Sequence, residues 1–246
     1  MKPFLILQLR PNTVASDGEF SAFLKYGELS PDEVVRIRMD QDPLPLIDLA
    51  EFSGVIVGGG PWNVSDEPDS KTPQQKSAEY WLSGFLQRII ETDTPFLGVC
   101  YGLGALAKIL GSTISKEQFT ENASATNIEL LPEAHRDDLL KGLPETFRAI
   151  VGHKEACQQL PHGAVHLAQS SACPVQMFRL KKNIYATQFH PELDTEGVQV
   201  RIDVYKHAGY FPPEEAESLK KQLRKEKITF PMEILKRFVK KYHTEK

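Results

Sequence analysis

The sequence contains no apolar run that approaches the roughly 20 residues needed for a membrane-spanning helix. Its first run, Phe4–Leu9, is mostly apolar, but it is too short for the core of a signal peptide and is typical of a buried strand. We therefore expect a cytoplasmic protein that does not bind membranes.

Cysteine is also scarce, with only Cys100, Cys157 and Cys173 among the 246 residues. An odd number without C-x-x-C spacing does not form a disulfide framework and disfavours a zinc site. The sequence therefore predicts free thiols, no metal and no cofactor. Cys157 and Cys173 match no catalytic pattern, so we expect them to be packing residues.

Positive charge is unevenly distributed. Residues 219–246 hold ten Lys and Arg against three Asp and Glu, although the whole chain has a net charge of −4. A basic tail can bind nucleic acid, but helical spacing of its apolar residues favours solvated amphipathic helices and no nucleic-acid partner. We therefore predict a main domain over residues 1–211 and a C-terminal helical extension over 212–246, packed on that domain. The apolar residues in question are Leu219, Leu223, Ile234, Leu235 and Phe238.

Short apolar runs alternate with amphipathic segments in the first half of the chain. This alternation predicts an α/β fold, with a mostly parallel central sheet and flanking helices. The second half predicts five short strands separated by turns, the last two forming a hairpin around Lys181-Lys182. The predicted strands are Phe4–Leu9, Val34–Ile37, Gly54–Val57, Phe96–Val99, Asn127–Leu131, Phe147–Val151, Val165–Ala168, Val175–Leu180 and Asn183–Phe189, and the predicted helices are Gln75–Glu91 and Leu103–Leu110.

A G-x-C-x-G pattern lies between the fourth strand and the helix that follows it. Gly98 and Gly102 flank Cys100 at the two positions that must be small when a nucleophile occupies a sharp strand-to-helix turn. The helix end is expected to lower the pKa of the thiol, and the N–H of Tyr101 to stabilise an oxyanion. A structural cysteine at a glycine-rich strand end is the alternative.

Two further segments supply partners for such a nucleophile. His190 and Glu192 follow the last predicted strand, so the histidine could act as a base that the carboxylate orients. Gly58–Gly60 ends a buried strand, where backbone N–H groups could approach a substrate oxygen closely. A phosphate-binding loop fits less well, because no G-K-[ST] follows.

Taken together, these motifs resemble those of the class I glutamine amidotransferases, especially stand-alone proteins similar to the amidotransferase domain of GMP synthase. The resemblance is carried, in family order, by Gly59-Gly60-Pro61-x-x-Val64, Gly98-Val99-Cys100-Tyr101-Gly102, Gly152-His153-Lys154-Glu155 and Gln188-Phe189-His190-Pro191-Glu192. It implies a flavodoxin-like fold.

The resemblance also implies a reaction. Cys100 would attack the side-chain amide of glutamine, and His190 would act as base, so that a γ-glutamyl thioester and ammonia form. Gly60 and Tyr101 match the oxyanion-hole positions, and Gly59, Gly104 and His153 are candidate substrate-binding residues.

One departure from the family pattern bears on the substrate. Glycine occupies position 104, where the family usually has a glutamine that helps to hold the substrate. A hydrolase of γ-glutamyl peptides or related amides is therefore an alternative, as is a non-catalytic regulatory homologue. An α/β-hydrolase with a cysteine nucleophile is a further alternative. That class usually has its acid between the nucleophile and the histidine in chain order, so the position of Glu192 after His190 favours the amidotransferase.

The chain contains no S-G-G-x-D-S signature of an ATP pyrophosphatase. A separate synthetase subunit is therefore the candidate ammonia acceptor. The oligomeric state is left open, with a homodimer among the options.

Overall fold

The computed structural model describes residues 2–41 and 44–243. Among these residues, no helix combines the length and the apolar character that crossing a bilayer requires.

The first half of the chain alternates strands with helices, as its apolar pattern predicts. Gly54–Val57 and Phe96–Val99 are strands with the predicted bounds. The helix Thr13–Gly27 was not predicted, because its apolar residues do not form a clear stripe; the side chain of Asn12 accepts a hydrogen bond from its first turn. The elements are β1 Phe4–Gln8, α1 Thr13–Gly27, β2 Val34–Arg38, β3 Gly54–Val57, α2 Pro73–Thr92, β4 Phe96–Val99 and α3 Tyr101–Ile109.

The described residues of the second half form seven strands followed by three helices. The predicted hairpin around Lys181-Lys182 is confirmed, since β10 and β11 pair antiparallel across it. The elements are β5 Ile114–Ser115, β6 Glu121–Leu130, β7 Thr146–His153, β8 Ala156–Cys157, β9 Ala164–Gln169, β10 Met177–Leu180, β11 Ile184–Thr187, α4 Gly197–Val204, α5 Ala216–Leu223 and α6 Phe230–Tyr242.

Nine strands form one sheet in the order β2-β1-β3-β4-β11-β10-β9-β6-β7, while β5 and β8 pair separately. The five strands from β2 to β11 are mutually parallel. Within the nine-stranded sheet only β6 and β10 run against the other strands. The predicted α/β fold with a mostly parallel sheet and flanking helices is therefore confirmed.

Alternation along the strands separates two apolar layers, one on each face of the sheet. In β1, Ile6 joins a cluster that includes Phe23 of α1, whereas Leu7 joins a cluster that includes Phe85 of α2 and Leu103 of α3. Successive side chains of a strand point to opposite faces, so a strand covered on both sides is apolar throughout. This explains the fully buried run at the start of the chain.

The C-terminal helices pack on the rest of the molecule. On α6, Ile234, Leu235 and Phe238 are fully buried in the same apolar layer as β1 and α1. The helix α5 contributes Leu223 to a third cluster, which contains Ile150 of β7. These contacts agree with an extension packed on the main domain, and the boundary at residue 212 stays a prediction.

The parallel strands bring three sequence motifs to one edge of the sheet. The strands β3, β4 and β11 are neighbours, and the segments Gly58–Gly60, Cys100 and Gln188–His190 follow their carboxyl ends. The N–H of Cys100 donates a 2.7 Å hydrogen bond to the carbonyl oxygen of Thr187. Ligand sites in open parallel sheets lie at this edge.

Candidate active site

Cys100 occupies a strained turn between β4 and α3. Its φ of 52° and ψ of −95° lie outside the regions that a residue with a side chain ordinarily adopts. A Cβ added at Gly98 would lie 2.8 Å from the carbonyl group of Gly102, and one added at Gly102 would lie 2.8 Å from the carbonyl oxygen of Val57. The turn therefore requires both flanking glycines, as the motif predicts.

His190 and Glu192 form a buried pair beside this turn. Nδ1 of His190 lies 2.9 Å from Oε1 of Glu192, and the N–H of His190 donates to the carbonyl oxygen of Ile150. A Cβ added at Gly59 would lie 2.9 Å from Cε1 of His190 and 3.5 Å from Cβ of Cys100. The structure thus gathers Cys100 and His190 around Gly59. With Nδ1–H donating to the carboxylate, Nε2 is the free ring nitrogen.

Two arginines contribute further charge to the site, the buried Arg10 and the partly buried Arg201, and neither was predicted. Nη2 of Arg201 donates to Oε1 of Glu192 at 2.9 Å, and its Nη1 lies 3.2 Å from Nδ1 of His190. Arg10 donates from Nε to Oε1 of Glu19 at 2.8 Å. Arg10 follows the first strand and Arg201 lies on α4, so no local pattern joins them to the nucleophile.

The ionisation states follow from burial and from these charges. Burial raises the pKa of Cys100 to about 12, although Arg10 and Arg201 act in the opposite direction. The prediction that the helix end leaves this thiol with a lowered pKa is therefore wrong for the substrate-free protein. Burial also lowers the pKa of His190, so its imidazole is neutral at neutral pH.

The carboxylate partner behaves differently. Burial alone would raise the pKa of Glu192, but its interaction with His190, which includes a hydrogen bond, and the charge of Arg201 bring it well below its usual range. The resting site therefore holds a neutral thiol, a neutral imidazole and an ionised carboxylate.

Two cavities meet at Cys100. The larger, about 50 Å³, extends past His190 towards Arg10 and Arg201, with apolar walls from Ile150, Leu193, Val198, Ile202 and Phe211. The smaller, about 20 Å³, is lined by Trp62, Gly104, His153 and Glu155. Tyr210 lines both cavities, and its hydroxyl donates to the carbonyl oxygen of Gly60 at 3.3 Å.

Gly60 and Tyr101, the two residues expected to form an oxyanion hole, both line the smaller cavity. Tyr101 is the first residue of α3, so its N–H has no acceptor within the helix. Its side chain points elsewhere, since the hydroxyl donates to Oε1 of Glu79. A Cβ added at Gly60 would lie 2.6 Å from the carbonyl oxygen of Leu9, so this position also requires glycine.

The candidate substrate-binding residues differ in what they offer. A Cβ added at Gly104 would lie 3.4 Å from Val64 and 3.6 Å from Oε1 of Glu155. His153 lines the same cavity, but Nδ1 lies 3.0 Å from the carbonyl oxygen of Glu155 and Nε2 lies 3.0 Å from Oε2 of Glu121. His153 can therefore shape the cavity, while both of its ring nitrogens are occupied by protein groups.

The segment containing His153 also fixes Glu155, whose carboxylate accepts hydrogen bonds from the N–H groups of Val64 and Ser65 at 2.7 and 2.8 Å. This contact joins the glycine-rich loop after β3 to the segment after β7. All three cysteines are free thiols, and Cys157 and Cys173 are fully buried, as expected of packing residues.

Comparisons with known proteins assign a family to this architecture, an α/β sheet with a cysteine at a strained strand–helix turn. The family model described as glutamine amidotransferase class-I matches residues 28–200. The chain belongs to the class I glutamine amidotransferase family. Arg10, Arg201, Tyr205 and Tyr210 lie outside the matched residues, although all four line the larger cavity.

Similar proteins include two that are named as subunits of a glutamine-hydrolyzing GMP synthase. The protein from Archaeoglobus fulgidus is 26% identical over 174 residues, covering 70% of this chain and 83% of the relative. The protein from Thermococcus kodakarensis is 32% identical over 152 residues, covering 61% of this chain and 72% of the relative.

Solved structures share the fold. A glutamine amidotransferase from Thermotoga maritima superposes with a TM-score of 0.73 at 20% identity, covering 97% of this chain and 99% of the other. A glutamine amido transferase from Methylobacillus flagellatus gives a TM-score of 0.72 at 21% identity, covering 98% and 95%. At these identities the likeness extends to the fold alone.

Proposed function

We propose that the protein hydrolyses the side-chain amide of glutamine and releases ammonia, with Cys100 as nucleophile, His190 as base and Glu192 as orienting acid. The observation that carries this proposal is the position of Cys100, on a strained turn at the sheet edge where the His190–Glu192 pair is held at 2.9 Å. Membership of the family supports the same reaction.

The first half of the reaction uses neutral groups. Nε2 of His190 accepts the thiol proton as the sulfur of Cys100 attacks the amide carbon, which avoids a thiolate in the buried resting site. The N–H groups of Gly60 and Tyr101 stabilise the oxygen that becomes negative. The imidazolium then donates its proton to the amide nitrogen, ammonia leaves, and the γ-glutamyl thioester remains on Cys100.

The second half removes the acyl group. A water molecule attacks the thioester carbon while His190 accepts its proton. The tetrahedral intermediate then expels the sulfur of Cys100, which takes the proton back from His190, as glutamate forms. Glu192 remains ionised throughout and holds the imidazole by its Nδ1–H. The ammonia would pass to an acceptor enzyme, for which a separate synthetase subunit is our candidate, since similar proteins are named as subunits of GMP synthase.

A second candidate function, hydrolysis of γ-glutamyl peptides, is favoured by two observations. Gly104 lacks the side-chain amide that the family usually places beside the substrate. The larger cavity opens beside His190, the residue that would protonate the leaving nitrogen, and ammonia does not need a cavity with apolar walls. An amino acid as leaving group would occupy it.

One labelling experiment tests the nucleophile and glutamine recognition together. The intact protein is incubated with a diazoketone analogue of glutamine, and its mass is measured beside the variants Cys100→Ala and Cys157→Ala. We expect one adduct on the parent protein and on Cys157→Ala, and none on Cys100→Ala. An adduct that survives in Cys100→Ala, or an unlabelled parent protein, contradicts the proposal.

Steady-state hydrolysis then separates the two substrates. Release of glutamate is measured from free glutamine and from γ-glutamyl dipeptides under the same conditions. A higher kcat/KM for glutamine supports the amidotransferase reaction, whereas a higher value for the dipeptides favours the second candidate. No turnover of either class would favour a non-catalytic homologue.

A further inference from the structure

A second cluster of chemically versatile side chains lies behind the wall of the smaller cavity. Glu121 begins β6 and His153 ends β7, and the two residues pair directly across the antiparallel strands. Cys173 reaches them from the loop between β9 and β10. One ligand atom from each of the three residues lies within 4.8 Å of the others. All three side chains are at least nine-tenths buried.

The hydrogen bonds of this cluster require a proton or a metal ion between His153 and Glu121. The carbonyl oxygen of Glu155 can only accept, so Nδ1 of His153, 3.0 Å away, must carry a proton. A neutral imidazole then directs the lone pair of Nε2 at Oε2 of Glu121, 3.0 Å away, and two acceptors at that distance repel each other. Either a proton or a metal ion must lie between them.

The groups around His153 and Glu121 favour a metal ion over a proton between these two residues. A thiol is the third member of the cluster, and Nε2 of Gln176 donates to Oε2 of Glu121 at 2.7 Å. Oε1 of the same amide is fully buried and has no hydrogen-bond partner among the described residues. A histidine whose Nδ1–H donates to a backbone carbonyl is also the usual arrangement when Nε2 binds a metal.

We propose that Glu121, His153 and Cys173 bind a divalent transition-metal ion, with Zn²⁺ as the best match. Zinc takes one carboxylate oxygen, one imidazole nitrogen and one thiolate at about 2.0 to 2.3 Å, so ligand atoms that already lie within 4.8 Å need only small movements. Binding displaces the proton shared by His153 and Glu121 together with the thiol proton of Cys173. The carboxylate and thiolate then neutralise the ion.

The ion would have a structural role. It would tie β6, β7 and the β9–β10 loop together directly behind the segment from His153 to Glu155, which forms a wall of the smaller cavity. Three separate segments supply the ligands, so no spacing motif in the sequence indicates the site. The proposal is independent of the hydrolytic reaction and is tested without measuring turnover.

Metal binding is measured on the full chain in a Cys100→Ala background, which removes the partly exposed thiol outside the cluster. The protein is treated with chelator and titrated with Co²⁺, whose thiolate complexes absorb strongly in the near ultraviolet, and then with Zn²⁺ by calorimetry. We expect one equivalent to bind, the thiolate–cobalt absorption to appear, and the melting temperature to rise.

Single substitutions assign the ligands. Cys173→Ser should abolish the thiolate–cobalt absorption and weaken Zn²⁺ binding at least tenfold, and His153→Gln should weaken binding similarly. Cys157→Ser is the matched control, because Cys157 is an equally buried cysteine outside the cluster, and it should leave both signals unchanged. Circular dichroism without metal checks that each variant folds.

Two results would overturn the proposal. One is the absence of stoichiometric binding of either ion by the folded Cys100→Ala protein. The other is binding that persists unchanged in Cys173→Ser and His153→Gln. Should Cys173→Ser fail to fold, His153→Gln and Glu121→Gln still decide the question, since an ion held elsewhere would bind both with the affinity of the parent protein.

Discussion

Arg201 donates a 2.9 Å hydrogen bond from Nη2 to Oε1 of Glu192. The same oxygen lies 2.9 Å from Nδ1 of His190, so one carboxylate oxygen joins the helix α4 to the proposed base. Arg201 does not need to touch the substrate to affect the reaction, because its charge lowers the pKa of both partners. We regard it as a positioning residue.

Removing this charge should change the pH dependence of hydrolysis. In Arg201→Gln the pKa of His190 rises, and because the reaction needs neutral His190, the acid limb of kcat/KM moves to higher pH. Arg201→Lys keeps the charge and should keep the limb near its parent position while kcat falls. Rates measured from pH 5 to 9 provide the test.

The matched control is Arg237→Gln on α6, since Arg237 pairs with Glu233 and lies outside both cavities. It should leave the pH profile unchanged. If the profile of Arg201→Gln kept its acid limb and only its amplitude fell, Arg201 would be a structural residue without influence on the base.

Gly98, two residues before Cys100, should be required for stable folding. In Gly98→Ala the new methyl group would lie 2.8 Å from backbone atoms of Gly102, which cannot move without disturbing α3. We expect the free energy of unfolding to fall by about 2 kcal/mol or more. Gly84→Ala on α2 is the control, because no atom lies within 4 Å of its added Cβ. It should stabilise the protein by up to about 1 kcal/mol. Denaturant unfolding of both variants tests the difference, and equal effects would contradict the close packing of the turn.

Packing of the C-terminal extension is testable with a pair of phenylalanines on α6. Phe238 is fully buried, and its ring centroid lies 6.3 Å from that of Phe4 and 5.1 Å from that of Tyr242. Phe238→Ala should cost about 3 to 5 kcal/mol of unfolding free energy. Phe230 is 39% exposed, so Phe230→Ala should cost less than half as much. If both variants unfolded like the parent protein, the extension would not contribute to the core.

Substitution of Gly104 should affect substrate binding without impairing folding. Its added Cβ would make ordinary contacts at 3.4 Å with Val64 and 3.6 Å with Glu155, and alanine favours the helix α3. Gly104→Ala should therefore leave the melting temperature unchanged or slightly raised. Because the methyl group enters the smaller cavity, we expect KM to rise severalfold while kcat changes little. An unchanged KM would show that this cavity does not receive the substrate.

Local sequence patterns were sufficient to predict the central strands and the order of the motifs along the chain. Strands β3 and β4 have their predicted bounds because continuous apolar runs end there in glycine or in the nucleophile turn. The helix α4 was not predicted, since only Val198 and Ile202 on it are buried and they form no extended stripe. A weakly amphipathic helix depends on its neighbours, which the sequence does not specify locally.

For the site as well, residues in short local motifs could be predicted from the sequence, and residues brought in by long-range packing could not. Cys100, His190 and Glu192 are detectable because each belongs to a short motif, whereas Arg10 and Arg201 reach the site only through the packing of distant segments. The direction of the pKa shift of Cys100 was mispredicted for a related reason. Burial by residues far along the chain raises the pKa of this thiol, and motif spacing contains no information on burial.

The parallel pairing of β4 with β11 has a consequence for how activity arises during synthesis. A ribosome that has released the chain as far as α3 has produced the proposed nucleophile, Cys100, without the proposed base, because His190 follows a strand that is made much later. Contacts between such distant segments form slowly, since loop closure must precede them. An incomplete or partly folded chain therefore holds an isolated thiol, and the proposed hydrolytic site is assembled only when the sheet is joined through its centre.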